Sequence, residues 1–361
     1  MAKYHYAKAG RSYLCLEQSR SALLWHLVAR ARKLHLSHLG VRRGSRQLLR
    51  FRVLCKHLLR KRLLQSALEL PVFGHLCIPV HRGYKVFDLK RSTVYKVFRD
   101  DVEAATVRAE AGRAQEAAQL DFAPCFHGWN EAERWYEEDF FPGVLAAAKA
   151  QSTPTAFLAE YQRDVAPQVE AMARLREPAV KPFAEYASEV ASIVDDPRLV
   201  APELDSARVA QVRDFLATSL KSFESEPGQA HLVYSHGDFS LENLMHTETG
   251  LKCIDWESGG PRSLTYDLLN YFFTELHYER APTNMVKEVR AAVDDLCHRL
   301  ETSSPELAES LRSHESGYIR LYYLERTRTF LERELTDSML DVALQSIAVF
   351  RTFDEHNVAV R

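Results

Sequence analysis

His236-Gly237-Asp238-Phe239-Ser240-Leu241-Glu242-Asn243 is followed, after Leu244-Met245-His246-Thr247 and the turn Glu248-Thr249-Gly250, by Leu251-Lys252-Cys253-Ile254-Asp255. The run HLVYS (231–235) just before it is β-rich, so the polar loop leaves the end of a strand. LMHT and LKCID read as the two arms of a hairpin turning at Gly250. Phosphoryl transfer asks little covalent chemistry of a protein. It needs a carboxylate to orient the attacking hydroxyl, oxygen ligands for Mg²⁺, and a cation on the phosphates that stay behind. This stretch offers an Asp and, five residues later, an Asn on one loop, then a second carboxylate at a strand end. The hairpin would bring Asn243 and Asp255 together as oxygen ligands for a hard cation. The plainer reading is an Asx-type turn capped by Asp238 and Asn243, with Asp255 merely ending a strand.

Working outward, GYKVFDL (83–89) and TVYKVF (93–98) alternate like strands and are joined by a turn at KRS (90–92), a second hairpin. Residues 101–119, DVEAATVRAEAGRAQEAAQ, form an Ala-rich helix with acids in its first turn. FAPCFHGW and RWYEEDFFPG (134–143) are two short strands, the second ending at Pro142-Gly143. Residues 144–225 are helical in pattern, with breaks near 152–154 and 197–202, and the tail from 262 returns to helices. Strands with one helix, then a mostly helical half carrying one hairpin, make an α+β chain.

The first 70 residues differ in character. They hold 16 Lys/Arg against two acids, Glu17 and Glu69, whereas the remainder holds 31 against 47. Residues 11–39 and 44–69 read as two helices, the second with Leu48, Leu49, Phe51, Leu54, Leu58, Leu59, Leu63 and Leu64 at helical period. Its basic residues fill most of the opposite face. Such a helix can pack its leucines on the protein body, or lie on an anionic membrane surface through residues 11–69. Nucleic acid is the least favoured partner. No apolar run approaches the roughly 18 residues that span a bilayer, and the N-terminus lacks a secretory signal. The six cysteines are scattered without CxxC spacing, which favours reduced thiols. A cytoplasmic protein is expected, with peripheral membrane contact open to the basic segment.

HGDFSLENLM and CIDWE resemble the catalytic loop and metal-binding strand of the aminoglycoside phosphotransferase and choline kinase superfamily. That resemblance covers about residues 80–335. It implies a protein-kinase-like two-lobed fold, with an ATP-binding N-lobe built on a small antiparallel sheet (71–141) and a helical C-lobe (142–361); it offers nothing for the basic helical N-terminal extension (1–70), which rests on charge and periodicity alone. It implies Asp238 as catalytic base, Asn243 and Asp255 as Mg²⁺ ligands, and His236 as a brace for the loop. The extension IDWESGGPRSLTYDLLNYFFTE (254–275) looks more like the choline, ethanolamine and thiamine kinase branch. There Glu257, Asp267 and Asn270 match recurrent positions. Glu257 could join the metal shell or face the acceptor, and Asp267 would fix the loop by capping its own helix. Lys96 falls where a strand lysine contacts the α- and β-phosphates of ATP. Its acidic partner should come from the 101–119 helix. Glu110 shares a face with Val107 and Ala114, so it points inward in preference to Glu116, while the first-turn Glu103 is explained by the helix dipole. Glu138 and Asp139 fall where the interlobe connection meets adenine through backbone groups, so their side chains need no role. The family's phosphate-covering loop often carries glycine, but the turn here is Leu89-Lys90-Arg91-Ser92, leaving Ser92 and backbone amides to cover the phosphates.

The expectation is therefore an ATP- and Mg²⁺-dependent kinase with a hydroxyl acceptor, either a small molecule or a sugar or lipid-linked compound. The aromatics Trp256, Tyr266, Tyr271, Phe272, Phe273 and Tyr278 could cradle a cationic amino alcohol, although aromatics at helical spacing are more often core. The alternative is a catalytically silent, nucleotide-binding module that docks through its basic arm.

Overall fold

The computed structural model of the protein describes residues 1–7, 12–15, 67–146, 154–200, 204–224, 226–275, 282–332 and 336–360. Its contacts divide the chain into two compact units, Met1–Ala150 with Leu241–Ser258, and Gln151–Ser240 with Gly259–Arg361. The first unit opens with strands β1 (Ala2–Ala7), β2 (Ser12–Cys15), β3 (Ala67–Leu70), β4 (Leu76–Val80), β5 (Gly83–Asp88) and β6 (Thr93–Phe98). Helix α1 (Ala104–Ala117), β7 (Phe126–Asn130), β8 (Trp135–Asp139) and β9 (Val144–Leu145) follow. The second unit begins with α2 (Pro154–Glu160), α3 (Ala166–Ala173), β10 (Ala179–Pro182), α4 (Phe183–Ala191), α5 (Ser206–Lys221) and β11 (Gln229–Ser235). The chain re-enters the first unit for β12 (Leu244–Thr247) and β13 (Gly250–Cys253). It ends in the second with β14 (Gly260–Ser263), α6 (Tyr266–Glu275), α7 (Pro282–Ser303), α8 (Pro305–Glu332) and α9 (Asp337–Val360).

In the first unit the main sheet has eight described strands in the order β3-β1-β2-β4-β5-β6-β8-β7. The β5/β6 hairpin organises it. Asp88 Oδ1 accepts from the backbone N–H of Lys90 (2.9 Å) and Arg91 (3.1 Å), and Ser92 takes the left-handed φ of 59° that lets the chain reverse. That turn fixes the register from Asp88↔Thr93 down to Gly83↔Phe98. At the far end only glycine fits, because a Cβ on Gly83 would stand 2.0 Å from the Val97 carbonyl oxygen. Every residue of β6 is buried. Helix α1 turns Val107, Glu110, Ala111, Ala114 and Ala117 inward, and Val107, Ala111 and Ala114 pack with Phe98 and Tyr136. A smaller sheet, β13-β12-β9, completes the unit.

The N-terminal segment departs from the helices expected over 11–39 and 44–69. Where it is described it is strand: β2 pairs with β1 and β4, and β3 pairs with β1. Tyr4 explains why pairing wins there. It is fully buried in a cluster with Leu70, Val72, Cys77 and Val86, and its hydroxyl donates to the Val72 carbonyl at 3.0 Å. Burying such a ring on a pleated face outweighs helical periodicity at the segment's two ends. Residues 16–66, which carry most of the basic amphipathic pattern, lie outside the described residues. No helix among the described residues is long and apolar enough to cross a membrane.

In the second unit β11 lies between β10 and β14 and is buried from Ala230 to Ser235. Besides β9 at its very start, the helical pattern expected over 144–225 and from 262 onward is broken by two further short strands, β10 within 144–225 and β14 at the head of the tail. Each is four residues long and contains a proline, so neither shows a local strand period and each depends on β11 for its ladder. A π-helical turn, Tyr161–Val165, joins α2 to α3. Tyr266, Tyr271, Phe272 and Phe273 are all buried; Tyr271, for instance, stacks on Phe157 at 5.1 Å. Trp256 is buried in the first unit against Phe122. The aromatic cradle proposed from sequence is therefore core packing at Trp256, Tyr266, Tyr271 and Phe272, and Tyr278 lies outside the described residues.

Candidate active site

Because Leu89 to Ser92 form the turn of the β5/β6 hairpin, Lys85 stands directly opposite Lys96. Lys96 is 2% exposed. Its Nζ lies 3.2 Å from Glu110 Oε1 on α1 and 3.0 Å from Glu257 Oε2 on the turn after β13. Lys85 Nζ lies 3.0 Å from Asp255 Oδ2. Arg82 approaches Glu110 from its other oxygen at 3.6 Å. Two lysines and three carboxylates are thus drawn together in the first unit by one hairpin register and one helix face.

Burial and charge pull against each other in this cluster. Burial raises the Glu110 carboxyl above its ordinary value; Lys96 opposes that and the Glu257 charge adds to it. Burial likewise pushes Glu138 from 4.5 up to about 7, against the pull of the Lys85 ammonium and with the Asp255 carboxylate adding to the rise. For Lys85 burial alone would lower the ammonium, but Asp255 and Glu138 hold it above its usual range. Glu138, expected to offer only backbone groups, therefore belongs electrostatically to the lysine cluster. It sits within β8, opposite Val94 of β6. Asp139 turns elsewhere, its Oδ1 2.7 Å from His127 Nε2. Ser92 occupies the hairpin turn, where its carbonyl accepts from the Phe140 N–H at 2.8 Å.

Asn243 and Asp255 flank the β12/β13 hairpin. Leu244 pairs with Cys253, and the Ile254 N–H donates to the Asn243 carbonyl at 2.9 Å. Asn243 thus directly precedes the ladder and Asp255 follows it. Asp255 has φ 71°, a left-handed conformation that Asp tolerates better than most side chains. An amide oxygen and a carboxylate are hard donors that suit Mg²⁺, which completes its shell with water and phosphate oxygens. A cation, the Lys85 ammonium, already stands against the Asp255 carboxylate. Among the described residues no group of three or more His, Cys, Asp or Glu forms a metal cage. Asn243 and Asp255 are the residues that would hold Mg²⁺ there.

Asp238 belongs to the second unit, on the loop that leaves β11. Gly237 takes φ 79° there, a turn that glycine adopts without strain. The loop backbone is fastened from α6. Asp267 accepts from the His236 N–H at 2.7 Å and the Gly237 N–H at 3.1 Å, and Asn270 donates to the Phe239 carbonyl at 3.0 Å. Asp267 therefore holds the loop directly, in place of the helix cap expected from sequence. Burial raises its carboxyl, with His236 and these N–H groups opposing the rise. His236 is fully buried and accepts the Asp238 N–H at its Nδ1 (3.2 Å), so it braces the loop from within. Arg326 on α8 places Nη1 3.5 Å from Asp238 Oδ1. Lys85 and Arg326 are additions that the sequence reading missed. Lys85 could have been found by counting the hairpin register outward from its turn; Arg326, 88 residues away from Asp238, left no local signal.

The model of the family described as "Phosphotransferase enzyme family" matches residues 81–309, more than half of the chain. No curated protein matches it. Solved structures similar to it include choline kinase LicA from Streptococcus pneumoniae, at 14% identity over 74% of this chain and 89% of that one, with a TM-score of 0.49. A Plasmodium vivax ethanolamine kinase is 13% identical over 95% and 97% of the two chains, with a TM-score of 0.48. A thermostable mutant of aminoglycoside phosphotransferase APH(4)-Ia, in a ternary complex with ADP and hygromycin B, is 17% identical over 76% and 93%, with a TM-score of 0.44.

Proposed function

Since the chain belongs to the phosphotransferase enzyme family, we propose that it moves the γ-phosphate of ATP to a hydroxyl of a small-molecule acceptor, with Asp238 as the base. The observation that carries this reading is the loop after β11. Three backbone groups of that loop, at His236, Gly237 and Phe239, are tied to Asp267 and Asn270. Such fastening belongs to a side chain whose position matters, because orientation supplies much of the rate in phosphoryl transfer.

In the proposed reaction the acceptor oxygen forms a bond to the γ-phosphorus while the bond from that phosphorus to the β,γ-bridging oxygen breaks. ADP leaves with the bond's electrons. The hydroxyl proton passes to the Asp238 carboxylate and then to water. Lys96 contacts the α- and β-phosphates, and Glu110 holds its ammonium in place. Glu257, which shares Lys96, helps to position that ammonium and need not touch the acceptor. Ser92 and the amides of its turn cover the phosphates, its left-handed φ doing in this turn what glycine commonly does. The backbone near Glu138 and Asp139 meets adenine. Asn243 and Asp255 would hold Mg²⁺, which when bound neutralises phosphate charge.

Asp238→Asn tests the assignment. Acceptor-dependent ADP release should fall by at least about 100-fold, the usual contribution of a positioned base, with nucleotide affinity within about threefold of the parent. Undiminished release in that variant would sink the reading.

A further inference from the structure

The second unit contains a cavity of about 140 Å³ between α6, α8 and α9. At roughly 30 Å³ per water molecule it has room for a few waters or for a small polar head group. Phe273, Tyr322, Phe330 and Phe350 supply its aromatic walls, and Arg326 is the one formally charged residue among the described residues of its lining. Arg326 is the same residue that reaches Asp238.

Two observations say that this space is shaped for a polar ligand. Thr274 lines it, and its hydroxyl is buried without a hydrogen-bond partner, a rare state for a buried polar atom in a native protein. Ser346, the other hydroxyl-bearing aliphatic side chain of the lining, is already committed, donating to the Val342 carbonyl at 3.0 Å. The second observation is Arg326 itself. Its guanidinium lies 4.6 Å from the Phe330 ring centre, which orients its plane. Its 3.5 Å approach to Asp238 is long beside the roughly 2.8 Å of a full charge-assisted hydrogen bond. The Tyr266 hydroxyl is a further partner of the guanidinium, and a five-donor fork with these contacts retains donors for another anion.

We infer that the phosphate acceptor is an alcohol bearing an anionic group, bound with that group on Arg326 and Thr274 and its hydroxyl toward Asp238. The inference rests on the phosphotransferase reading and narrows it. No carboxylate is among the described residues of the lining, so an ammonium group placed there would face the positive charge of Arg326, and like charges in a desolvated site are strongly disfavoured. Amino alcohols are thereby selected against.

Calorimetric titration of the full chain, without nucleotide, should compare D-glycerate and glycerol 3-phosphate with neutral glycerol and cationic ethanolamine. At least one anionic alcohol is expected to bind about tenfold or more tightly than ethanolamine; which of the two binds separates a carboxylate from a phosphate. Arg326→Gln should erase the preference, Arg326→Lys should keep part of it, and Thr274→Val should weaken the anion several-fold, with circular dichroism confirming that each variant folds. Failure of both anions to bind, tighter binding of ethanolamine, or a preference unchanged in Arg326→Gln would overturn the inference. ADP release with the same alcohols separates the two levels. Turnover that favours ethanolamine overturns the anionic acceptor and leaves phosphoryl transfer standing. Arg326-dependent anion binding with no ADP release upholds the subsite and counts against the reaction.

Discussion

Glu138 illustrates how one residue's surroundings become measurable. Its carboxyl is lifted from 4.5 to about 7 by burial, with Lys85 opposing. The folded state therefore holds its proton longer than the unfolded chain does. Stability owed to this group is full below pH 4.5 and is lost as pH rises through about 7. The slope from this residue is at most ~1.4 kcal/mol per pH unit. Glu138→Gln should flatten the fall in urea-unfolding stability across that window; identical slopes in parent and variant would show that the carboxyl is not held this way. Individual residues were unevenly legible. Glu110 could be separated from Glu116 because it shares a helix face with Val107 and Ala114, and it is fully buried. The side chains of Glu138 and Lys85 depend on which sheet face the register turns toward the lysine cluster, which neither strand reveals alone.

The β5/β6 hairpin shows what an element can state about itself and what it cannot. Its alternation and turn residues mark it in the sequence, and the structure adds an obligatory glycine. A methyl group on Gly83 meets a backbone oxygen at 2.0 Å, and a carbonyl in a ladder cannot rotate aside as a side chain can. Gly83→Ala should therefore cost about 1–3 kcal/mol, read as a lower midpoint in thermal unfolding; an unchanged midpoint would mean that the strands separate freely there. β10 and β14 stayed hidden because their order comes from β11, a partner distant in sequence. Asp267 was noticed, but its partners were not. A carboxylate near a helix start reads locally as a cap, whereas its oxygens go to a loop about 30 residues earlier.

For the whole chain, the sequence signalled an α+β organisation and a change of character near residue 70, but not that strands from both ends of the basic segment join the main sheet. β1 and β3 bury Tyr4 and Leu70 against Cys77 and Val86, and β2 joins β1 to β4. Deleting residues 1–70 should therefore lower the thermal midpoint by at least about 5 °C. Replacing only residues 16–66 with a short Gly/Ser linker should leave it within about 3 °C. Equal midpoints for the deletion and the linker protein would show that the three strands add nothing. β2 and β3 lie on either side of β1, with Cys15 opposite Tyr4 and Ala67 opposite His5. At about 5 Å per strand spacing the two attachment points are only about 10 Å apart. The basic stretch is consequently fastened at both ends, to the two strands that flank β1, and whatever grips it pulls on both. A single backbone cut inside it would break the polypeptide into two pieces that the ladder on β1 still clasps together.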